Sequence, residues 1–186
     1  MNQSIGSMSK PQAFVVKPNE PTPLHMVGEL VSILASAEQT GSIEVFLQSG
    51  SEGAGPPPHT HAWDEAYFVL EGLLEVLTGD RVQTLSKGDF VFVPGGTAHC
   101  FQMKAPGTRF LSVSSRAGTS TFFKAIDREV GSAMDISKIV DVARRTMTIE
   151  VTGSADKIEA FERMVRPHGL VEMVRTGEIA IARGSD

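Results

Sequence analysis

Gly53-Ala54-Gly55-Pro56-Pro57-Pro58-His59-Thr60-His61-Ala62-Trp63-Asp64-Glu65, closed by Gly72, is the stretch that decides the fold, and Gly88, Pro94, Gly96 and His99 answer it further on. His59 and His61 stand two apart, so on a strand both imidazoles face one side. Glu65 keeps the same parity four residues on, and His99 opens a later β-type run. Two facing strands therefore bring three imidazoles and one carboxylate to one point. Such a set suits one divalent transition metal: Fe, Mn, Ni, Cu or Zn. Cys100 is the only cysteine, so neither an iron–sulfur cluster nor a thiolate zinc is expected. Three nitrogens and one oxygen leave one or two positions of an octahedral ion open to water, dioxygen or a bidentate oxygen ligand.

Outward from this stretch the chain reads as short β-type runs. Ala13 to Val16, Gly28 to Leu34 and Ser42 to Leu47 precede it; Glu65 to Leu70, Leu73 to Leu77, Val82 to Leu85, Phe90 to Val93, His99 to Met103 and Phe110 to Ser114 follow. Gly79-Asp80 and Lys87-Gly88-Asp89 mark tight connections. Many short strands with Gly and Pro turns predict an all-β barrel or sandwich. Thr121 to Val130 reads as a short helix from Phe122, Phe123, Ile126 and Val130.

The last 53 residues differ. Of the whole chain's 12 aromatics, 10 prolines and 5 histidines, they hold one of each. Met147 to Val151 alternates as a strand, a helix capped by Ser154 carries Ile158, Phe161, Met164 and Val165, and Leu170 to Val174 and Glu178 to Ala182 read as two more strands. The expected division is a tail over 1–11, a barrel over 12–133 and a strand–helix–strand unit over 134–186. Across all 186 residues the net charge of −5 gives no footprint for nucleic acid or an anionic membrane. No apolar run is long enough to span a bilayer, and the N-terminus lacks a secretory pattern. The single cysteine predicts a reducing, cytoplasmic setting.

The motif pair resembles the cupin family, in its small, quercetin-dioxygenase-like branch. The pattern G-x5-H-x-H-x3-E-x6-G is met by Gly53, His59, His61, Glu65 and Gly72, and G-x5-P-x-G-x2-H by Gly88, Pro94, Gly96 and His99. The family's closing Asn is Met103 here, which removes a polar contact at that position. The resemblance implies a mainly β fold, an RmlC-like jelly-roll barrel, with His59, His61, Glu65 and His99 as metal ligands. Glu65 doubles as the candidate catalytic base. Trp63, Tyr67, Phe92, Phe101 and Met103 are the candidate substrate pocket, with plain barrel packing as the alternative for the aromatic side chains. Cys100, next to His99, reads as packing on the opposite face.

Ile139-Val140-Asp141-Val142, Met147 to Gly153, Asp156 to Phe161 and Arg175 to Gly184 are similar to the C-terminal end of the acetolactate synthase small, regulatory subunit. That resemblance implies a ferredoxin-like, ACT-type α+β unit, here partial, without the family unit's first strand and helix. A partial sheet leaves an edge uncovered, which either the Thr121–Val130 helix folding back or a second protomer would complete, and a homodimer is the expectation. Two functions follow. One is a metal-dependent enzyme, dioxygenase-like, acting on a small oxygenated, aromatic or enolic molecule, with isomerase and decarboxylase chemistry open at the same site. The other is a non-catalytic ligand-binding or regulatory protein whose C-terminal unit dimerises or contacts an acetolactate synthase-like catalytic subunit.

Overall fold

The computed structural model describes residues 11–26, 28–115, 118–131 and 135–146. Nine strands and three helices stand among them: β1 (Leu24–Met26), β2 (Glu29–Ala35), α1 (Ala37–Thr40), β3 (Ile43–Gly50), β4 (Glu65–Glu71), β5 (Leu73–Thr78), β6 (Arg81–Ser86), β7 (Phe90–Val93), β8 (His99–Met103), β9 (Thr108–Ser115), α2 (Thr119–Glu129) and α3 (Ile136–Thr146). The fold is mainly β, as expected. Six strands pair in the order β1-β2-β3-β9-β4-β7 and three in the order β6-β5-β8, all antiparallel.

Strict alternation builds the inner face of the large sheet. Along β9, Thr108, Phe110, Ser112 and Ser114 are buried and their neighbours are less so. Ser112 lies opposite both Phe46 and Tyr67, and Ser114 opposite both Glu44 and Glu65, so these side chains share one face. Two apolar clusters cover that face. Tyr67, Val69, Val93 and Phe110 pack against Leu74, Val76, Leu85, Phe101 and Met103 of the small sheet. Met26, Val31 and Phe46 pack instead against Ala125, Ile126 and Val142 of α2 and α3, with Phe122, Phe123 and Ile139 at the margin. The register between β4 and β5 turns at Gly72: with φ of 78°, a Cβ there would lie 2.5 Å from Thr108 Oγ1.

Two expectations need correction. Ala13 to Val16 is no strand; Phe14 and Val15 are exposed and no strand pairs with them. Strand β1 and helix α1 are too short, at three and four residues, to show a period in the sequence, and the eleven-residue α3 stands where no element was expected. Helix α2 starts earlier than its apolar pattern because a carboxylate from another strand caps it. Glu44 of β3 accepts the backbone N–H groups of Thr119 (2.6 Å) and Ser120 (3.1 Å), and Ser120 Oγ donates to it as well. Residues 1–10 of the expected 1–11 tail, and the strands and helix expected from Met147 onward, lie outside the described residues. No described helix is long and apolar enough to cross a membrane.

Candidate metal centre

His59, His61 and Glu65 do not share one continuous strand. Residues 60–64 form a loop, His59 makes an isolated antiparallel bridge to His99, and Glu65 opens β4. The loop converges on the site because hydrogen bonds pin it. His59 and His99 exchange backbone N–H···O bonds of 2.9 Å each way, Gly96 N–H donates to His61 O at 2.7 Å, and Gly95 N–H donates to Asp64 Oδ1 at 2.9 Å. Gly95 is as necessary as the motif's Gly96: a Cβ at 95 would lie 2.3 Å from Ala62 O. Neither Gly95 nor Asp64 was singled out in the sequence, since their role arises only where two loops meet.

The three imidazoles each place a ring nitrogen within 4.8 Å of the others. Their orientation is set by backbone. Nδ1 of His59, His61 and His99 lies 3.0, 3.0 and 2.8 Å from the carbonyl oxygens of Pro57, Trp63 and Thr97. A carbonyl only accepts, so each Nδ1 carries a proton and each Nε2 is left as the group facing inward. His61 Nε2 is buried with no hydrogen-bond partner among the described residues. Its 3.4 Å approach to Glu65 Oε2 is therefore an electrostatic contact without hydrogen-bond geometry.

Glu65 Oε2 also lies 3.3 Å from His99 Nε2 and accepts the Tyr67 hydroxyl at 2.7 Å. Burial opposes ionisation of Glu65, but its contacts with His61, His99 and Tyr67 outweigh this and hold the carboxyl well below the usual carboxylate range. Burial also works to lower the His99 pKa, yet the partnership with Glu65 and Thr97 raises it overall. His59 is lowered, by burial first and by His99 second. Three inward Nε2 atoms beside a carboxylate, that of His61 without a partner among the described residues, fit a divalent cation.

The pocket residues divide. Trp63 stacks on His61 with ring centroids 4.0 Å apart and planes 2° from parallel. Tyr67 bonds Glu65 and meets Phe101 and Phe110 edge-on at 5.5 and 5.6 Å. Phe101 and Met103 lie in the apolar core beneath the centre. Phe92 is not brought to the site. It pairs with Ala66, one residue out of phase with Glu65 and Tyr67, and is 54% exposed on the outer face. Cys100 alternates with buried His99 and Phe101 and is half-buried on the other side.

A jelly-roll barrel with a three-histidine cluster at the junction of its sheets is the architecture of the cupins. Residues 46–113 match the family model described as cupin domain. Residues 129–184 match the model described as small subunit of acetolactate synthase, and α3 stands inside that stretch. The chain is 32% identical over 101 residues to quercetin 2,3-dioxygenase of Bacillus subtilis, covering 53% of this chain and 30% of that protein. It is 47% identical over 49 residues to a probable acetolactate synthase small subunit of Archaeoglobus fulgidus, covering 26% of this chain and 31% of that one. It thus spans under a third of either relative. The structure of KdgF from Halomonas superposes with a TM-score of 0.52 at 23% identity, over 56% of this chain and 94% of that one, and shows the shared fold.

Proposed function

We propose that the barrel binds one divalent transition metal through His59, His61, His99 and Glu65 and acts on a small oxygenated molecule in a dioxygenase-like reaction. The observation that carries this reading is the set of three Nδ1–H groups fixed on backbone carbonyls, which leaves three Nε2 atoms facing one another. When bound, the metal supplies Lewis acidity toward substrate oxygens or activates dioxygen. The chain's own part is orientation and proton handling. Trp63 holds the His61 ring flat by stacking and through its carbonyl, Tyr67 fixes Glu65 by donating to Oε2, and Glu65, kept ionised, accepts a substrate proton. Similarity to the quercetin dioxygenase supports aromatic or enolic substrates. Elemental analysis should find about one Fe, Mn, Ni, Cu or Zn per chain, and oxygen uptake with a flavonol or a 1,3-diketone should vanish in His61→Ala. A chain that ignores all five metals overturns the site.

The match over 129–184 favours a second reading beside the first: a cytoplasmic homodimer in which barrel occupancy is passed to a partner enzyme of the acetolactate synthase catalytic-subunit kind. In support, α3 lies in that matched stretch and also contributes Ile139 and Val142 to the barrel's helix-covered core. Capture of such a catalytic subunit by the full chain, lost on truncation before Asp135, is the expected result. Sedimentation at a monomer's mass at micromolar concentration would remove the dimer.

A further inference from the structure

The outer face of the large sheet lacks the polar side chains that a water-facing antiparallel sheet carries. The register sets one row across four strands as Leu47, Leu111, Phe68 and Phe90. The next row runs Val45, Val113, Ala66 and Phe92. All eight side chains are apolar and none of them is buried. Ser32 closes the first row on the β2 side, and the Arg109–Glu71 ion pair of 3.6 Å borders it along β9 and β4. Helices α2 and α3 pack on the inner face and leave this one bare.

The two halves of this patch differ. Strands β3 and β9 supply branched aliphatic side chains, while β4 and β7 supply three phenylalanines and one alanine. A two-fold axis parallel to the strands, set between β9 and β4, exchanges these halves and keeps each row in place. It lays β9 on the second copy's β4 and β3 on its β7, an aligned packing of sheets. Leu111 then meets the second copy's Phe68, Leu47 its Phe90 and Val45 its Phe92. The same turn brings Arg109 over the second copy's Glu71, base on acid, once on each side of the axis. Two chains of net charge −5 thus meet without like charges in contact. At 41%, 61% and 54% exposure, Phe68, Phe90 and Phe92 alone bare roughly 300 Å². With the smaller apolar side chains and the charged border, two copies bury about 1,200 Å², the lower end of specific interfaces. The chain's own later segment fits less well. His25 ties β1 to α2 through Asp127, and β7 stands five strand spacings, about 24 Å, from β1. The chain therefore leaves α3 toward the other edge and on the other face from the rings.

We propose that the outer face of β3-β9-β4-β7 is a two-fold interface between two copies of this chain, with β9 of each lying on β4 of the other. The inference rests on the homodimer reading above and places its contact on the barrel, where the sequence led to the C-terminal unit. Aromatic anchors with a polar border are the anatomy of such a contact.

The test is sedimentation of the full chain at micromolar concentration, beside Phe90→Glu. The wild type should run as a dimer. Phe90→Glu should weaken association about a hundred-fold and run as a monomer with an unchanged circular dichroism spectrum. A second measurement does not depend on that variant folding. Leu47→Cys and Phe90→Cys stand three strands apart within one chain, and the proposed axis brings them together between copies. After the two single variants are mixed, a short bis-maleimide should link them into covalent dimers. Each variant alone should stay unlinked, which also controls for Cys100. A Phe90→Glu chain that folds and stays dimeric overturns this interface and leaves the homodimer to another surface. Linking in a single variant alone, or none in the mixture, overturns the stated axis. A monomeric wild type overturns the interface and the homodimer reading together.

Discussion

On the inner face of the large sheet, Glu44 and Glu65 flank Ser114, while Glu29 lies toward the other end of β2 and β3. Glu29 and Glu44 are buried and the Glu65 side chain is 13% exposed, and their surroundings differ. Under the helices, Glu44 collects N–H donors from Ala37, Thr119 and Ser120 and a hydroxyl from Ser120, standing in for the side-chain cap that Gly118 cannot give α2. At the sheet junction, Glu65 has Tyr67 and His99. Glu29 has no protein partner among the described residues. A buried acid with donors is structure, one among inward imidazoles suits a metal, and one with neither costs stability.

Removing the first of these acids should cost most. Glu44→Ala orphans the N–H groups that begin α2 and should lower stability by about 3–5 kcal/mol in urea unfolding, with Glu44→Gln losing less. An unchanged midpoint would mean that α2 holds its start without help. Glu29 should move the other way. Its ordinary pKa is 4.5 and its folded value about 8, so between those limits the folded chain holds a proton that the unfolded chain has lost. Stability therefore falls as pH rises from about 4.5 to about 8 and is level above that range. Glu29→Gln removes this slope. The difference between variant and wild type should grow to a few kcal/mol in favour of the variant by pH 8, read from unfolding curves across the range. A parallel pair of pH profiles would show that Glu29 is not buried in acid form.

Tyr67→Phe sharpens the comparison at Glu65 alone. The ring and its contacts with Phe101 and Phe110 stay, and only the 2.7 Å bond to Oε2 is lost. Metal affinity should fall about ten-fold, measured by competition with a chelator, while stability changes by about 1 kcal/mol. An affinity equal to wild type would show that Glu65 is oriented by the histidines without Tyr67.

The motif pair made the barrel and the convergence of His59, His61, Glu65 and His99 legible, because both depend on local periodicity and spacing. Strands β7 and β8 begin and end where the apolar runs do. What stayed hidden depends on contacts distant in sequence. Glu44 reads as an ordinary surface acid until β3 is placed against α2, 75 residues away. Glu29 likewise stands in a run whose alternation matches any half-buried strand, and its solitude appears only when Gly50 is set opposite. The loop 60–64 looked like strand because H-x-H has strand parity, whereas the bonds to Gly95 and Gly96 bend it.

Phe92 offers the smallest effect and the clearest contrast of faces. An aromatic ring on a strand makes Phe92 a pocket candidate, but β7 sets Val91 and Val93 inward and Phe90 and Phe92 outward, 61% and 54% exposed. Phe92→Ser should leave metal content and acetylacetone affinity at wild-type values and shift stability by no more than about 0.5 kcal/mol. A Phe92 variant that loses metal would mean that the outer face supports the centre through Ala66, its cross-strand partner and the neighbour of Glu65. With metal retained, any change in sedimentation would instead locate the homodimer contact on this face, where Phe68 lies directly across from Phe90.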